Sequence, residues 1–257
     1  MLVQERRCSI IAKVNEHRMV KVTDLMDEFG VSIETVRRDL EHLEKLGHLQ
    51  RVYGGATAPG IYGEEPAYRN REILNYEEKR AIGRKTAELV TDGDTLFMEV
   101  GTTMLEVAAC LRDKKRLTVI TNATQIATEM LHNPDCNVIL LGGEMRAGEL
   151  ATSGAMAEAN LQNFYANKLI MGVGGISMAS GITDYNIPEA SVRRAMITRA
   201  KTVIAVADYS KFGVTAMNCI CPVSAVDTLV VDWSVPNKTL TEFRAAGLAV
   251  HVGERIG

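Results

Sequence analysis

The alternation of helix-like and strand-like segments after Tyr76 restricts the fold of this chain more than any other feature. Short aliphatic runs occur at residues 95–100, 117–121, 137–141, 168–173, 202–207, 228–231 and 248–252. Between or beside them, apolar residues recur at helical spacing at residues 77–90, 104–111, 125–131, 188–200 and 240–246. Strands joined by helices pair in parallel and are buried on both faces, so the pattern predicts an α/β domain with a Rossmann-like open sheet at residues 76–257.

The first part of the chain has a different pattern. A helix is predicted at residues 4–16 from the spacing of its apolar residues Ile10, Ile11 and Val14. Residues 19–22 are short and extended. A second helix is predicted at residues 24–29, with Thr23 as its N-cap and Gly30 at its end.

A third helix follows, with Ser32 as its N-cap. Its buried stripe is predicted to consist of Ile33, Val36, Leu40 and Leu43. Residues 49–53 then resemble a strand that turns at Gly54 and Gly55, which gives a small wing. Two helices joined by a tight turn, with a hairpin after them, predict a winged helix-turn-helix in residues 1–56.

The solvent face of the third helix carries two adjacent arginines. In the major groove, one of Arg37 and Arg38 can contact a guanine edge and the other a phosphate, and Ser32 and Thr35 can add phosphate contacts. The alternative is a solvated face on which Glu34 pairs with an arginine and Glu41 pairs with Lys45. Charge does not decide between them, because nine basic and nine acidic residues balance in residues 1–55.

Residues 57–75 contain prolines, glycines and mixed charges without an apolar period, and we expect a linker there. The net charge of −3 excludes a polycationic nucleic-acid coat. No apolar run is long enough for a membrane span, and the first residues lack the apolar core of a secretory signal, so a cytoplasmic protein is expected. Five scattered cysteines favour free thiols over disulfides or a zinc site, and no metal or cofactor is predicted.

Polar loops follow several predicted strands, where ligands bind in open α/β sheets. Gly101, Thr102 and Thr103 lie between a strand and a helix, and their N–H groups and hydroxyls suit a phosphate. A plain helix cap after a glycine turn is the alternative. The other loop residues at equivalent positions are Thr121, Asn122, Gly142, Gly143, the run 172–175 and the run from Asp208 to Lys211.

Three charged residues complete the predicted ligand site. Lys211 supplies a cation near a bound anion, or is an ordinary surface lysine. Glu189 opens a helix after Pro188, where it either receives a sugar hydroxyl or is favoured only by the helix dipole. Arg193, one turn later, is a second anion contact or a solvated charge, and both interpretations stay open.

The stretch Val31-Ser32-Ile33-Glu34-Thr35-Val36-Arg37-Arg38-Asp39-Leu40 resembles the signature of the DeoR family of bacterial transcriptional regulators. The wing from Arg51 through Tyr53 to Ala56 is similar too, and the resemblance extends to the C-terminus. It implies that Arg37 and Arg38 recognise operator DNA, that Asp39 orients them, and that Arg51 and Tyr53 belong to the DNA-binding surface. It also implies a sensor domain similar to ribose-5-phosphate isomerase, in which residues 101–103 match the phosphate loop, Glu189 matches a catalytic acid or base, and residues 208–211 match a terminal D-x-S-K element.

Two departures from the family pattern fall in the expected effector site. Glu99 stands where the family usually has Asp, followed by Val100 in place of a small polar residue, and Gly174 stands where the pattern has an acid. Because an aldose–ketose isomerase needs positioned groups to move protons, the missing acid favours binding over turnover.

The resemblance therefore implies a homo-oligomeric repressor, a dimer or tetramer, of a sugar or polyol utilisation operon. A phosphorylated sugar bound to the C-terminal domain would control it. An isomerase with an accessory domain and a protein-interaction module remain the competing interpretations.

Overall fold

A computed structural model of the chain describes residues 2–17, 19–52, 54–57, 65 and 67–255. The N-terminal part folds as the predicted winged helix. Its elements are α1 (Val3–His17), β1 (Met19–Lys21), α2 (Val22–Phe29), α3 (Ile33–Lys45), β2 (Gln50–Val52) and β3 (Gly55–Thr57). The three strands form an antiparallel sheet in the order β1-β3-β2.

The core of this domain contains the predicted stripe of α3. Val36, Leu40 and Leu43 are buried and pack with Ile10 and Val14 of α1, while Ile33 is only partly buried. The wing sits close to β1, because a Cβ on Gly55 would lie 2.1 Å from the carbonyl oxygen of Val20. Only glycine permits this approach.

The predicted start of the second helix is wrong by two residues. Helix α2 begins at Val22, and Thr23 lies inside its first turn. The wing explains the difference, because the amide of Val22 donates to the carbonyl oxygen of Gly54 at 2.9 Å. This bond satisfies the free amide of Val22 at the helix start, so the helix begins without the side-chain cap predicted at Thr23. Gly30 ends the helix in the left-handed conformation, as predicted, with φ of 62°.

All seven aliphatic runs are strands of one parallel sheet, which confirms the predicted α/β fold. They are β4 (Thr95–Met98), β5 (Leu117–Thr121), β6 (Cys136–Leu140), β9 (Ala166–Met171), β12 (Ala200–Ala207), β14 (Thr228–Val231) and β15 (Ala249–Val252). Their order is β15-β14-β12-β9-β4-β5-β6. The chain order reverses between β4 and β9, and the crevice beyond the carboxyl ends of strands at such a switch point is where ligands bind in open α/β sheets.

Helices cover both faces of the sheet. Alternate residues of each strand point to opposite faces, so Phe97 joins one apolar cluster and Leu96 joins the other. The helices of this domain are α5 (Tyr76–Glu88), α6 (Thr102–Ala109), α7 (Thr124–Met130), α8 (Ala155–Leu161), α9 (Ile187–Ile197) and α10 (Asn237–Ala245). In the part of the chain that the structure describes, no helix is long and apolar enough to cross a membrane.

Several elements were not predicted. No pattern in the sequence marked helix α8 or the short strands β7 (Glu144–Arg146), β8 (Ala151–Ser153), β10 (Gly175–Ser177) and β11 (Gly181–Asp184). The stretch 219–221, in contrast, looks like a strand in the sequence, and it belongs to strand β13 (Asn218–Cys221), which pairs with β11. The expected linker contains helix α4 (Tyr68–Ile73), because Tyr68 is buried and Arg71 is ion-paired to Glu149.

Candidate functional site

Helix α3 presents the predicted DNA-binding residues on its outer face. Ser32 caps the helix, since its Oγ accepts a hydrogen bond from the amide of Thr35 at 3.3 Å. Arg37 and Arg38 are exposed, and neither has an ion pair within the described residues. The predicted pairing with Glu34 is thus absent there, whereas the Glu41–Lys45 pair forms at 2.8 Å. Both guanidinium groups are available to a partner.

Asp39 does not have its expected role. Its carboxylate is buried and accepts from Arg6 Nε at 2.6 Å and from Arg7 Nε at 2.9 Å, both on α1. Position 39 points away from both arginines, about 100° from Arg38 and about 160° from Arg37, because a helix turns about 100° per residue. Asp39 therefore fixes α3 against α1, and the expectation that it orients Arg37 and Arg38 is wrong.

The wing contributes one predicted contact residue to the described structure. Arg51 is exposed on β2, and its Nε donates to Glu44 Oε2 at 2.6 Å. This carboxylate raises the pKa of Arg51 and holds the side chain beside the C-terminal half of α3. Tyr53, the other predicted wing contact, lies outside the described residues.

The predicted phosphate loop lies at the switch point of the sheet. Gly101 precedes α6, and the first carbonyl accepting a bond within the helix belongs to Gly101, from the amide of Leu105. The amides of Thr102, Thr103 and Met104 therefore have no helical acceptor, and the two threonines line a cavity. Amide donors and hydroxyls at the positive end of a helix suit an anion.

Lys211 lies across this cavity in a short 3₁₀ helix, Tyr209–Lys211. Burial lowers the pKa of Lys211, while Asp208 opposes the shift. Burial alone would raise the pKa of Asp208, but Lys211 and Lys79 outweigh it and lower that pKa, so Asp208 is an anion. Among the described residues, no ion pair or hydrogen bond engages the ammonium group of Lys211, which is thus open to a ligand.

Asp208 shapes this end of the cavity through three hydrogen bonds to one of its carboxylate oxygens. Its Oδ1 accepts from the amide of Ser210 at 2.9 Å, from the Ser210 hydroxyl and from Asn75 Nδ2 at 3.1 Å. Tyr209 OH donates to Asn75 Oδ1 at 3.3 Å. Asp208 therefore positions the turn that carries Lys211.

A buried ionic cluster forms the floor of the cavity. Glu99 accepts from the amide of Gly172 at 2.6 Å across the switch point, and it pairs with Arg193. Arg193 Nη1 also lies 2.8 Å from Asp184 Oδ2. Arg193 is therefore neither a solvated charge nor free to contact an anion, since its side chain is buried and lies between two carboxylates.

The pKa shifts in the cluster have opposing causes. Burial raises the pKa of Glu99 to about 8, against the lowering effect of Arg193. Burial opposes the charge of Arg193, but Asp184 and Glu99 raise its pKa. We take the cluster as ionic because each guanidinium edge of Arg193 has a carboxylate within hydrogen-bonding distance.

Gly174 lines the cavity with no room for a side chain. A Cβ at this position would lie 2.9 Å from the carbonyl oxygen of Thr183 and 3.0 Å from Asp184 Oδ1. The carboxylate of Asp184 thus occupies the space beside the position where the family pattern has its acid. Asp184 had no signal in the sequence, because a single Asp at the end of a four-residue strand resembles any loop residue.

The rim of the cavity is a chain of ion pairs. Glu189 is buried in the first turn of α9, where burial raises its pKa, and its Oε1 accepts from Arg146 Nη1 at 3.1 Å. Arg146 also contacts Glu65 Oε2 at 2.8 Å, and Glu65 Oε1 lies 3.0 Å from Arg71 Nη2. Arg71 pairs with Glu149 at 2.5 Å. Of these residues, only Glu189 was predicted.

Four predicted ligand residues lie away from the cavity lining. Thr121 Oγ1 accepts from the amide of Ala123 at 3.0 Å, and Asn122 Nδ2 donates to the Thr152 carbonyl at 2.9 Å. The amide of Gly142 donates to Asn160 Oδ1 at 3.0 Å, and Gly143 packs against Ser153. These contacts hold β5 and the loop after β6 to the hairpin of β7 and β8 and to helix α8, so the four residues have structural roles here. Nine others line the cavity: Glu99, Gly101, Thr102, Thr103, Gly174, Glu189, Arg193, Asp208 and Lys211.

The winged helix packs directly on the cavity. Leu46, the C-cap of α3, lines it, and the adjacent His48 is buried. Burial and the nearby Lys211 lower the pKa of His48 to about 3, so its ring is neutral. Elsewhere, Asn15 Nδ2 of α1 donates to the Gly213 carbonyl at 2.9 Å. The last turn of α3 is therefore in the environment that a bound ligand would alter.

Two family models match the chain over most of its length. One, described as a DeoR-like helix-turn-helix domain, matches residues 6–60. The other, described as a DeoR C terminal sensor domain, matches residues 74–233.

Full-length relatives match as well. A putative aga operon transcriptional repressor of Escherichia coli O157:H7 is 33% identical, with 96% of this chain and 92% of that protein covered. The glycerol-3-phosphate regulon repressor of Escherichia coli K12 is 33% identical over 90% of this chain and 92% of that protein. The transcriptional regulator GolR of Listeria innocua is 32% identical, with 97% of this chain and 98% of that protein covered.

Solved structures are more distant. Ribose 5-phosphate isomerase A from Methanocaldococcus jannaschii has a TM-score of 0.41 and 12% identity, covering 54% of this chain and 55% of that one. The eIF2B beta subunit from Chaetomium thermophilum has a TM-score of 0.44 and 16% identity, and the match covers 74% of this chain and 57% of that one. The strand order described above, rather than these scores, defines the fold.

Proposed function

This chain belongs to the DeoR family of transcriptional regulators, and we propose that it represses an operon for the use of a sugar or polyol. In this proposal it binds double-stranded operator DNA through the winged helix, and a phosphorylated sugar in the cavity weakens that binding. It acts as a homo-oligomer in the cytoplasm and has no catalytic activity. The names of its relatives support the regulatory target, since they include repressors of an aga operon and of a glycerol-3-phosphate regulon.

One observation carries the proposal: the two ends of α3 face two different ligands. Arg37 and Arg38 lie on the exposed face of the helix, and Leu46 at its C-terminus lines the cavity. A helix is a rigid element, so a change in the cavity that moves Leu46 also moves the arginines. Ligand and DNA are then coupled through α3 itself.

The roles at the DNA follow from side-chain chemistry. Arginine pairs with a guanine edge through two parallel hydrogen bonds, so Arg37 or Arg38 supplies sequence specificity and the other supplies a phosphate contact. Ser32 and Thr35 add phosphate contacts at the helix start. Arg51, held by Glu44, contacts the backbone beside the wing. Paired winged helices of an oligomer would then require two half-sites in the operator.

The roles in the cavity divide between its two ends. The phosphate lies against the amides and hydroxyls of Thr102 and Thr103, with Lys211 as its cation. Sugar hydroxyls contact the carboxylates of Glu189 and Asp184. The carboxylates that could act as bases are engaged by arginines, Glu99 and Asp184 by Arg193 and Glu189 by Arg146. This engagement supports binding without turnover, because a general base must accept a proton from the substrate.

A thermal-shift screen of the full-length protein against phosphorylated sugars and polyols tests the proposal. A ligand that binds only the native state raises the melting temperature, with the shift growing as its concentration rises. The screen should give at least one phosphorylated compound whose unphosphorylated form has no effect. If no phosphorylated compound shifts the melting temperature, the proposed effector class is wrong.

A further inference from the structure

Glu65 forms a bridge between two arginines at the rim of the cavity. Its Oε1 lies 3.0 Å from Arg71 Nη2, and its Oε2 lies 2.8 Å from Arg146 Nη2. Only 14% of the Glu65 side chain is exposed. A carboxylate held between two guanidinium groups occupies the position that an anionic group of a ligand would take.

Glu65 comes from outside the two matched domains. The family models cover residues 6–60 and 74–233, and Glu65 and Arg71 lie in the interval between them. Arg146, in contrast, belongs to the hairpin of β7 and β8 in the sensor domain. The bridge therefore ties the segment that joins the winged helix to the sensor domain onto the rim of the cavity.

The charges that line the cavity oppose a further anion. Four basic side chains line it, Arg71, Lys79, Arg193 and Lys211. Six acidic side chains line it, Glu65, Glu99, Glu149, Asp184, Glu189 and Asp208. A phosphate group adds up to two negative charges at pH 7, and like charges in a confined site repel each other strongly. The loss of one carboxylate from the cavity would relieve this repulsion.

Glu65 is the carboxylate best placed to leave. Glu99 and Asp184 share the buried Arg193, and Asp208 accepts hydrogen bonds from a backbone amide and two side chains. Glu189 is fixed on α9. Glu149 accepts from Arg71 through both oxygens, and its side chain is only half as exposed as that of Glu65. Glu65 lies outside any helix or strand, and within the described residues its carboxylate is held by side chains alone.

We propose that Glu65 is an internal competitor of the effector: its carboxylate holds Arg71 and Arg146 in the unliganded protein, and an anionic ligand in the cavity displaces it. This inference rests on the proposed function, because it assumes that the cavity takes a phosphorylated compound. Displacement releases the joining segment from the rim. Ligand binding thereby acts on the connection between the two domains as well as on Leu46.

Phosphate titration of three full-length proteins tests the inference. Isothermal titration calorimetry with inorganic phosphate is carried out on the wild type, on Glu65→Gln and on the matched control Glu72→Gln. Glu72 is an exposed glutamate of α4 that has no ion pair within the described structure. Loss of the competitor should tighten phosphate binding about five- to tenfold in Glu65→Gln, and the control should bind as the wild type does. Glu65→Ala should behave as Glu65→Gln does.

Hydrogen exchange of the joining segment separates displacement from simple repulsion. Saturating phosphate should speed exchange of the amides in residues 67–75 of the wild type. In Glu65→Gln this exchange should already be fast and should not respond to phosphate. Slower or unchanged exchange in the wild type would show that Glu65 stays in place, which would overturn the inference.

Lys211→Ala distinguishes this failure from failure of the proposed function. If Lys211→Ala abolishes phosphate binding and Glu65→Gln leaves the affinity unchanged, the cavity is the anion site and Glu65 is not a competitor. If Lys211→Ala binds phosphate as the wild type does, the proposed effector site is wrong, and the inference falls with it.

Discussion

Asp39 and Arg6 form a buried ion pair at 2.6 Å that joins α3 to α1. The pair accounts for an acidic residue immediately after the two exposed arginines of α3. Position 39 faces the domain interior, so its carboxylate fixes the angle at which α3 packs against α1. The arginines on the outer face depend on that angle and not on a direct contact with Asp39.

Replacement of Asp39 by alanine should destabilise the winged helix. The change leaves the Arg6 guanidinium buried without its anion, and loss of one partner of a buried pair costs about 3 to 5 kcal/mol. Urea unfolding monitored by circular dichroism measures the loss of free energy of unfolding. Glu41→Ala, which breaks the exposed pair with Lys45 on the same helix, is the control and should unfold like the wild type. Equal stability of Asp39→Ala and wild type would contradict the role given to the pair.

Arg37→Ala and Arg38→Ala should each weaken specific DNA binding by about 1 to 3 kcal/mol without loss of stability. Both side chains are exposed and make no ion pair within the described residues, so the fold loses nothing when they are shortened. Fluorescence anisotropy with a duplex that the wild type selects from a random pool gives the affinities. Arg80→Ala, an exposed arginine of α5, serves as the control and should bind as the wild type does. If both α3 variants bind the selected duplex as tightly as the wild type does, another element recognises the DNA.

Lys211→Ala should abolish the response to a phosphorylated compound and leave DNA binding in its absence intact. The ammonium group is the cation placed at the phosphate loop, because the other lysine that lines the described cavity, Lys79, donates to the carbonyls of Arg71 and Leu74. Thermal shift with the best compound of the screen measures the response. Lys201→Ala removes an exposed lysine of β12 and should respond normally. A normal thermal shift in Lys211→Ala would show that the phosphate group binds somewhere other than beside Lys211.

His48 should make the protein less stable as pH falls below about 6.5. Burial lowers its pKa to about 3 in the folded state, whereas the unfolded state has the ordinary value of 6.5. Between these values the unfolded state binds a proton that the folded state does not, so stability decreases as pH falls, by about 2 kcal/mol from pH 7 to pH 5 for this group alone.

The comparison of His48→Gln with the wild type isolates this effect. Burial also raises the pKa of Asp232 to about 7, and its contribution has the opposite sign, but it is present in both proteins. The difference in free energy of unfolding between the two proteins should therefore change with pH between 7 and 5. The exposed His17→Gln should follow the wild-type profile. Parallel profiles for His48→Gln and wild type would show that the His48 ring is not kept neutral.

The sequence was sufficient to predict the strands of the sheet, because strands buried on both faces consist of uninterrupted aliphatic residues. It failed at elements whose stability comes from distant contacts. Strand β8, for example, is held by the hydroxyl of Thr152, which donates to the Leu141 carbonyl at 2.7 Å. Helix α4 depends on the burial of Tyr68 and on the pair between Arg71 and Glu149. No local pattern marks such contacts.

In the candidate site too, residues marked by a local pattern were predicted and residues brought there by distant contacts were not. The loop at Thr102 and the cation Lys211 follow strand ends, so position in an α/β pattern was enough to place them at the cavity. Thr121 also lies at a strand end, as the last residue of β5, yet its hydroxyl accepts from the amide of Ala123 and caps the turn there. Asp184 and Arg71 come from a short strand and from the joining segment, and only the fold brings them to the cavity.

The most direct test of the account is the affinity of the wild-type protein for its selected duplex, with and without a saturating amount of the best phosphorylated compound. Coupling through α3 predicts that the compound weakens DNA binding by about 5- to 150-fold and that Lys211→Ala shows no change. Unchanged DNA affinity while the compound demonstrably occupies the cavity would contradict the central claim that α3 links the two sites.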